Sequence, residues 1–367
     1  MRGRRAVAEI QLARETAEEV ARRLFHVVEV PEAASRTAAR HLVEADLRGV
    51  ETHGLVRLPL YVNRIRAGYL NAKAEPEIVE DGPATAVVDG HHGLGQVNGD
   101  FAMRLAVEKA REIGVGAVAV RNSSHFGAAA SYAILAADSG CLGLATTNSA
   151  PLLAPVGGLE RRVGNNPLAI AAPSGEGFPV VLDIAMSAVA AWRIRMATER
   201  GEKIPPDWAF DKRGEPTTDA YAAFQGGGLL RPLGDHKGVG LALMMDVLSG
   251  ILSGGGFGTG VRRLDQPGYL NTSHFFLAIN ISRFMEPETF TARMSELARE
   301  FYNTPTREGV EKVLLPGELE ARIQARRMKH GIPYRLQIYE PILELAGELG
   351  VKLPIPLADL QEGARRT

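Results

Sequence analysis

The sequence predicts a layered α/β fold with an added helical part, and three observations predict it. Short apolar runs rich in β-branched residues, such as residues 115–120 and 180–184, alternate with longer segments whose apolar residues recur at helical spacing. Such alternation is the pattern of helices layered on a sheet. Both ends of the chain read as helix alone, and a tract rich in glycine, proline and charge over residues 68–83 separates the first helical segment from the alternating part. At 367 residues the chain exceeds the usual single-domain length. The expected division is residues 1–75 with 287–367 as a helical domain, and residues 76–286 as an α/β domain.

Taken in order, residues 12–30 carry helical spacing, and Pro31-Glu32-Ala33-Ala34 opens a second helix running to Leu47. A third helix ends over residues 61–65. Past the tract, strands are predicted over residues 85–89, 115–120 and 141–146, with helices over 98–113 and 128–139. Further strands are expected over 168–172, 180–184 and 275–281, and helices over 188–200 and 238–252. The tail returns to charged amphipathic helices over 289–302 and 341–349. The most membrane-like stretch, residues 238–257, holds Asp246 and ends in Gly254, Gly255 and Gly256, so it reads as a buried helix.

The 42 basic residues nearly cancel the 43 acidic ones, and no long block of one sign occurs. That balance argues against nucleic acid as the main partner and for a small molecule. Cys141 is the only cysteine, so no intrachain disulfide can form and the expected address is the cytoplasm. The basic start, Met1-Arg2-Gly3-Arg4-Arg5, is followed by Glu9, Arg14, Glu15, Glu18 and Glu19, which does not read as a signal peptide.

The chemistry-bearing residues cluster in two places. Arg121-Asn122-Ser123-Ser124-His125-Phe126-Gly127 sets His125 among small polar groups at the mouth of the 115–120 strand, where α/β folds place their chemistry. An imidazole there can exchange protons near neutrality. In the second cluster His53, Arg57 and Tyr61 recur every four residues, but Pro59 fits best in a helix's first turn. The helix is therefore expected to start near Arg57, with His53 in the loop before it. A planar guanidinium beside two histidines suits a substrate carboxylate.

Other motifs are weaker. Gly90-His91-His92-Gly93-Leu94-Gly95 follows a strand and precedes a helix, as a dinucleotide fingerprint does, but the third glycine is absent and Arg121 ends the next strand in place of an acid. The loop reads as a turn. No HExxH or paired cysteines occur, so no metal site is expected. Asp235-His236-Lys237-Gly238 opens an apolar helix where a lysine and free N–H groups could meet a phosphate. Asp183 can either cap a helix or bind ribose hydroxyls.

Five segments together carry a family resemblance: THGLVRLPLY (52–61), RNSSHFGAAASYA (121–133), GNNPLAIAAP (164–173), LDIAMSAVAAW (182–192) and DHKGVGLALMMDVLSG (235–250). In this order they resemble the type 2 malate/L-lactate dehydrogenases, a group that includes L-sulfolactate and ureidoglycolate dehydrogenases and diketogulonate reductase. The resemblance implies a homodimeric, NAD- or NADP-dependent oxidoreductase acting on a small carboxylate such as malate or lactate. It also implies a mixed-sheet nicotinamide-binding domain of non-Rossmann type. A reductase of cyclic imino acids or keto-sugar acids, or a ureidoglycolate dehydrogenase, remains the alternative within the same family. By the same likeness His125 and His53 would be the catalytic pair, the division of their roles staying open, and Arg57 and Tyr61 would contact substrate. Ser149, Asp183, Ile184, Ala185, Met186, Ser187, Lys237, Gly238 and the turn Pro316-Gly317-Glu318 would line the coenzyme. The chain departs from the pattern at Thr52, where many relatives have serine, and at His236, where an aromatic residue often precedes the lysine.

Overall fold

The structure, a computed structural model, describes residues 9–355. It begins with β1 (Glu9–Leu12), α1 (Arg14–Val27), α2 (Glu32–Leu47) and α3 (Leu58–Arg66). The sheet region follows with β2 (Glu77–Asp81), β3 (Thr85–Asp89), α4 (Gly95–Ile113), β4 (Val115–Ser123), α5 (Ala130–Asp138), β5 (Cys141–Thr147), β6 (Leu168–Ala172) and β7 (Val180–Ile184). A more irregular stretch holds α6 (Ala191–Arg200), β8 (Ala209–Phe210), α7 (Ala220–Ala223), β9 (Leu229–Leu230) and α8 (His236–Asp246). The chain returns through β10 (Thr272–Asn280), α9 (Pro287–Tyr302), α10 (Glu318–His330), β11 (Ile332–Arg335) and α11 (Leu336–Glu348). No helix among the described residues is long and apolar enough to cross a membrane.

Head and tail share one core. Ala17, Val20, Ala21 and Leu24 form a buried stripe on α1 at helical spacing, and they pack with residues of α2 and α3 and with Tyr339, Ile342 and Leu345 of α11. An antiparallel ribbon of β1 with β11 ties the two ends together. Neither strand was expected, because each is four residues long and finds its partner more than 300 residues away.

Seven strands form a mixed sheet in the order β2-β3-β4-β10-β5-β6-β7. Only β3 and β4 run parallel, with α4 as their crossover; the other pairs are antiparallel. The late strand β10 inserts between β4 and β5. This topology brings the ends of β4, β5 and β7 and the start of β10 to one edge of the sheet, which is where the candidate site lies. A second core, of Val88, Val118, Val120, Phe276 and alanines of α4 and α5, fills the space beneath.

Three expectations are corrected. The strand after residue 115 runs to Ser123 rather than Val120, since its polar end still pairs with Thr272 beyond a register shift. The glycine- and proline-rich tract hides β2, an edge strand that buries no apolar side chain and so lacks an apolar signal. The apolar helix predicted over 238–252 is not buried throughout. It is α8, continued by a π-helical turn over Val247–Ile251, and Leu241, Leu243, Met244, Ile251 and Leu252 are exposed.

Candidate active site

Residues 51–57 form two short 3-10 turns around Gly54, and α3 follows with Pro59 in its first turn. The loop is clamped from below by Asp46 on α2, whose buried carboxyl accepts from the Leu55 N–H and the Tyr334 hydroxyl, each at 2.8 Å. Burial pushes that carboxyl up to about 7. Position 54 must be glycine, because a Cβ there would lie 1.8 Å from Asp46 Oδ1. Arg57 Nε then donates to the Thr52 carbonyl at 2.7 Å, and Thr52 Oγ1 bonds His53 Nδ1 at 2.8 Å. Among the described residues neither the guanidinium end of Arg57 nor Nε2 of His53 has a hydrogen-bond partner, so both can meet a ligand.

His125 arrives from the other side, on the loop after β4. Tyr61 Oη bonds its Nδ1 at 2.6 Å and the Gly127 N–H points at the same nitrogen from 3.4 Å, so Nε2 is the ring nitrogen left for a reacting group. The His53 and His125 rings stack with centroids 5.4 Å apart. His53, Arg57 and His125 line one cavity of about 1040 Å³, and Tyr61 stands fully buried behind them.

The charges of this site follow from its depth. Burial, helped by the Arg57 charge, pushes His53 down to about 4. Burial together with His53, Arg57 and His274 pushes His125 well below its ordinary range, so both rings are neutral at neutral pH. Burial also holds Tyr61 protonated, pushing its hydroxyl up to about 12.

His274, at the start of β10, was not picked out from the sequence because the apolar run there begins one residue later. The structure makes it the floor of the His125 loop. Thr147 Oγ1 donates to the Ser273 carbonyl at 2.9 Å, so His274 Nδ1–H donates to Thr147 at 2.7 Å; Nε2 accepts from Ser123 Oγ at 2.8 Å, and Ser123 in turn accepts from Asn98 Nδ2 at 2.9 Å. Its ring lies against Phe126, the neighbour of His125, at 4.7 Å and nearly parallel.

Burial pushes His274 down to about 3. A histidine in the unfolded chain titrates near about 6.5, so between pH 6.5 and 3 the unfolded state binds the extra proton and stability falls as pH falls, by about 1.4 kcal/mol per pH unit. His274→Gln is therefore expected to flatten the decline of the melting temperature between pH 7 and pH 5. Parallel melting curves for the two proteins would show that His274 is not held neutral by the fold.

The remaining expected residues divide. Ser149, Asp183, Ala185, Pro316 and Gly317 line the same cavity. Asp183 stands open to it at the end of β7, and the Ala130 N–H at the first turn of α5 offsets part of the rise that depth imposes on its carboxyl. Ile184, Met186, Ser187, Lys237, Gly238 and Glu318 lie outside its wall. Met186 is fully buried, Lys237 is exposed, and Gly238 packs so closely that a Cβ would lie 2.5 Å from the Leu233 carbonyl. Glu318 is buried among Tyr302, Lys312, Arg322 and the Leu315 N–H. The two amides of Gly164-Asn165-Asn166-Pro167 hold the cavity's rim: Asn166 accepts the Ser149 N–H at 2.9 Å and donates to the Ala242 carbonyl at 2.8 Å. Asp246, the one acid in the apolar helix, anchors Asn148 at 2.9 Å. Arg48 lines the cavity as well, and no motif signals it.

The sequence profile described as malate/L-lactate dehydrogenase matches residues 12–343. The chain is 44% identical over 328 residues to the malate dehydrogenase of Pyrococcus abyssi, covering 88% of this chain and 90% of that protein. It is 41% identical over 325 residues to the L-sulfolactate dehydrogenase of Methanocaldococcus jannaschii, covering 88% and 93%. Among solved structures, the malate dehydrogenase from Entamoeba histolytica superposes with a TM-score of 0.90 at 33% identity, over 95% of this chain and all of that one.

Proposed function

The chain belongs to the malate/L-lactate dehydrogenase family, and from that premise we propose that it moves a hydride between a nicotinamide coenzyme, NAD or NADP, and C2 of a small L-2-hydroxy acid, malate first. The observation that carries this reading is the meeting of two neutral imidazoles and one guanidinium on a single cavity. The substrate choice is supported by the 44% identity to a protein named malate dehydrogenase.

Each residue then has a defined task. Arg57 binds the carboxylate and so fixes C2. His125, held through Nδ1 by Tyr61, takes the hydroxyl proton at Nε2 during oxidation and returns it during reduction. His53 directs its free Nε2 at the same oxygen and polarises it. The coenzyme, when bound, supplies the hydride chemistry. The residues fit it: a cavity of about 1040 Å³ far exceeds a four-carbon acid, and Ser149, Asp183, Ala185, Pro316 and Gly317 line it together with the histidines. A non-Rossmann coenzyme frame is supported by the single parallel strand pair in the seven-stranded sheet. A homodimer is supported by the exposed apolar face of Leu241, Leu243, Met244, Ile251 and Leu252.

Initial rates with malate, lactate, sulfolactate and ureidoglycolate, each with NAD and with NADP, test the reaction. Malate is expected to be turned over fastest; absence of coenzyme reduction with every 2-hydroxy acid would overturn the reading. Arg57→Ala is expected to raise KM for malate by about 10-fold to 100-fold, the worth of a charged hydrogen-bonding fork. An unchanged KM would remove Arg57 from the carboxylate site.

A further inference from the structure

Among the described residues three arginines are buried: Arg48, Arg64 and Arg327. Two of them are satisfied at their terminal nitrogens. Arg64 donates to the carbonyls of Leu264, Gln266 and Gly268, and Arg327 donates to the Asp46 carbonyl and to Glu51. Arg48 differs. It is 7% exposed and its Nε is buried with no partner, as are those of Arg64 and Arg327, but among the described residues its terminal nitrogens make no hydrogen bond and no ion pair. It is also the only one of the three that lines the cavity. Its desolvation is partly offset by the charges of Glu320 and Asp183, which share that cavity wall without reaching ion-pair distance.

A buried guanidinium with no partner is costly, and natural chains keep one where a ligand completes it. The backbone fixes where it starts: Arg48 ends α2, and Gly49 follows with φ of 80° and packs on Ile323 of α10. Arg57 already serves the proposed reacting carboxylate from the opposite end of the same loop. We propose that Arg48 is a second anion-binding residue of this cavity, taking an oxyanion of a bound ligand: the coenzyme diphosphate, or the far carboxylate or sulfonate of a dianionic 2-hydroxy acid. The inference rests on the cavity being the reaction site proposed above.

The test uses Arg48→Gln and Arg48→Lys in the full chain, with calorimetric affinities for ADP-ribose and adenosine, the KM ratio of malate to lactate, and ligand-free melting curves. Because the guanidinium has no partner to lose, ligand-free Arg48→Gln is expected to melt no lower than the parent protein. If the diphosphate is the anion, Arg48→Gln weakens ADP-ribose about 10-fold to 100-fold, leaves adenosine unchanged, and Arg48→Lys recovers part of the loss. If the far anion is the partner, ADP-ribose affinity holds and the malate-to-lactate KM ratio rises by the same factor. Unchanged affinity and unchanged ratio overturn the proposal, as does a melting temperature lowered by several degrees with all ligands weakened alike, which would mark a structural arginine. A parent protein that binds ADP-ribose but oxidises no 2-hydroxy acid would overturn the proposed reaction alone.

Discussion

His125→Ala is expected to lower kcat by about 100-fold to 10,000-fold, the usual worth of a positioned acid or base, while affinity for NADH or NADPH persists. The expectation follows from the ring's two nitrogens having different surroundings: Nδ1 is taken by Tyr61 at 2.6 Å and Nε2 is free. A neutral His125 is the base that alcohol oxidation needs, so oxidation should already proceed at neutral pH and slow as acid protonates the ring. The Arg57 charge is one of the causes that keep the ring neutral, after burial and His53. A substrate carboxylate on Arg57 cancels that push, which raises the affinity of the ring for a proton. The acid limb of kcat should therefore fall at higher pH than the acid limb of kcat/KM, because the first reports the substrate complex and the second the free enzyme. Both limbs should vanish in His125→Ala. Turnover within a factor of a few of the parent, with the limbs intact, would assign the proton to another group, and His53 would be the next to test.

How much of this could be read from the sequence depends on the range of the contacts involved. The central strands were legible because burial leaves uninterrupted apolar runs; the predicted 85–89, 168–172 and 180–184 coincide with β3, β6 and β7. The strands that failed carry no such run: β2 is a sheet edge, and β1 and β11 stabilise each other only across the whole chain. Asp183 offered a choice between capping the helix after it and binding ribose. The fold sets its carboxylate beside the first turn of α5 and in the wall of the cavity, a placement that the local sequence does not signal. The spacing of His53, Arg57 and Tyr61 was informative because all three sit within nine residues, and Pro59 correctly placed the helix start. Their meeting with His125 is a product of tertiary structure. So are Arg48 and His274, whose significance lies in what surrounds them: no hydrogen-bond partner among the described residues for the first, a closed chain of hydrogen bonds for the second.

Gly95→Ala is expected to lower kcat by about 100-fold and to melt several degrees below the parent, although Gly95 lies outside the cavity wall. A Cβ on Gly95 would stand 2.3 Å from the Ser124 carbonyl and 2.5 Å from the His125 carbonyl. Both are backbone atoms, so no side chain can turn aside, and either the start of α4 or the His125 loop must move. The Gly95 N–H also donates to Ser124 Oγ at 3.0 Å, a bond that any such movement weakens. A shift of about 1 Å at a reacting group is enough to cost about 100-fold in rate, and overpacking of this kind costs about 1–3 kcal/mol of stability. Coenzyme affinity should change little, because the strain falls on the proton-transfer side. The same geometry gives the glycines of the fingerprint-like loop a packing reason. Gly90 is glycine because a Cβ there would lie 2.3 Å from Asn98 Nδ2, and Gly95 because α4 must press against the His125 loop. Gly347→Ala on α11, where a Cβ would meet nothing within 4 Å, serves as the comparison and should leave both turnover and melting at or slightly above the parent values. If Gly95→Ala keeps parental turnover, the contact between α4 and the His125 loop does not position the imidazole.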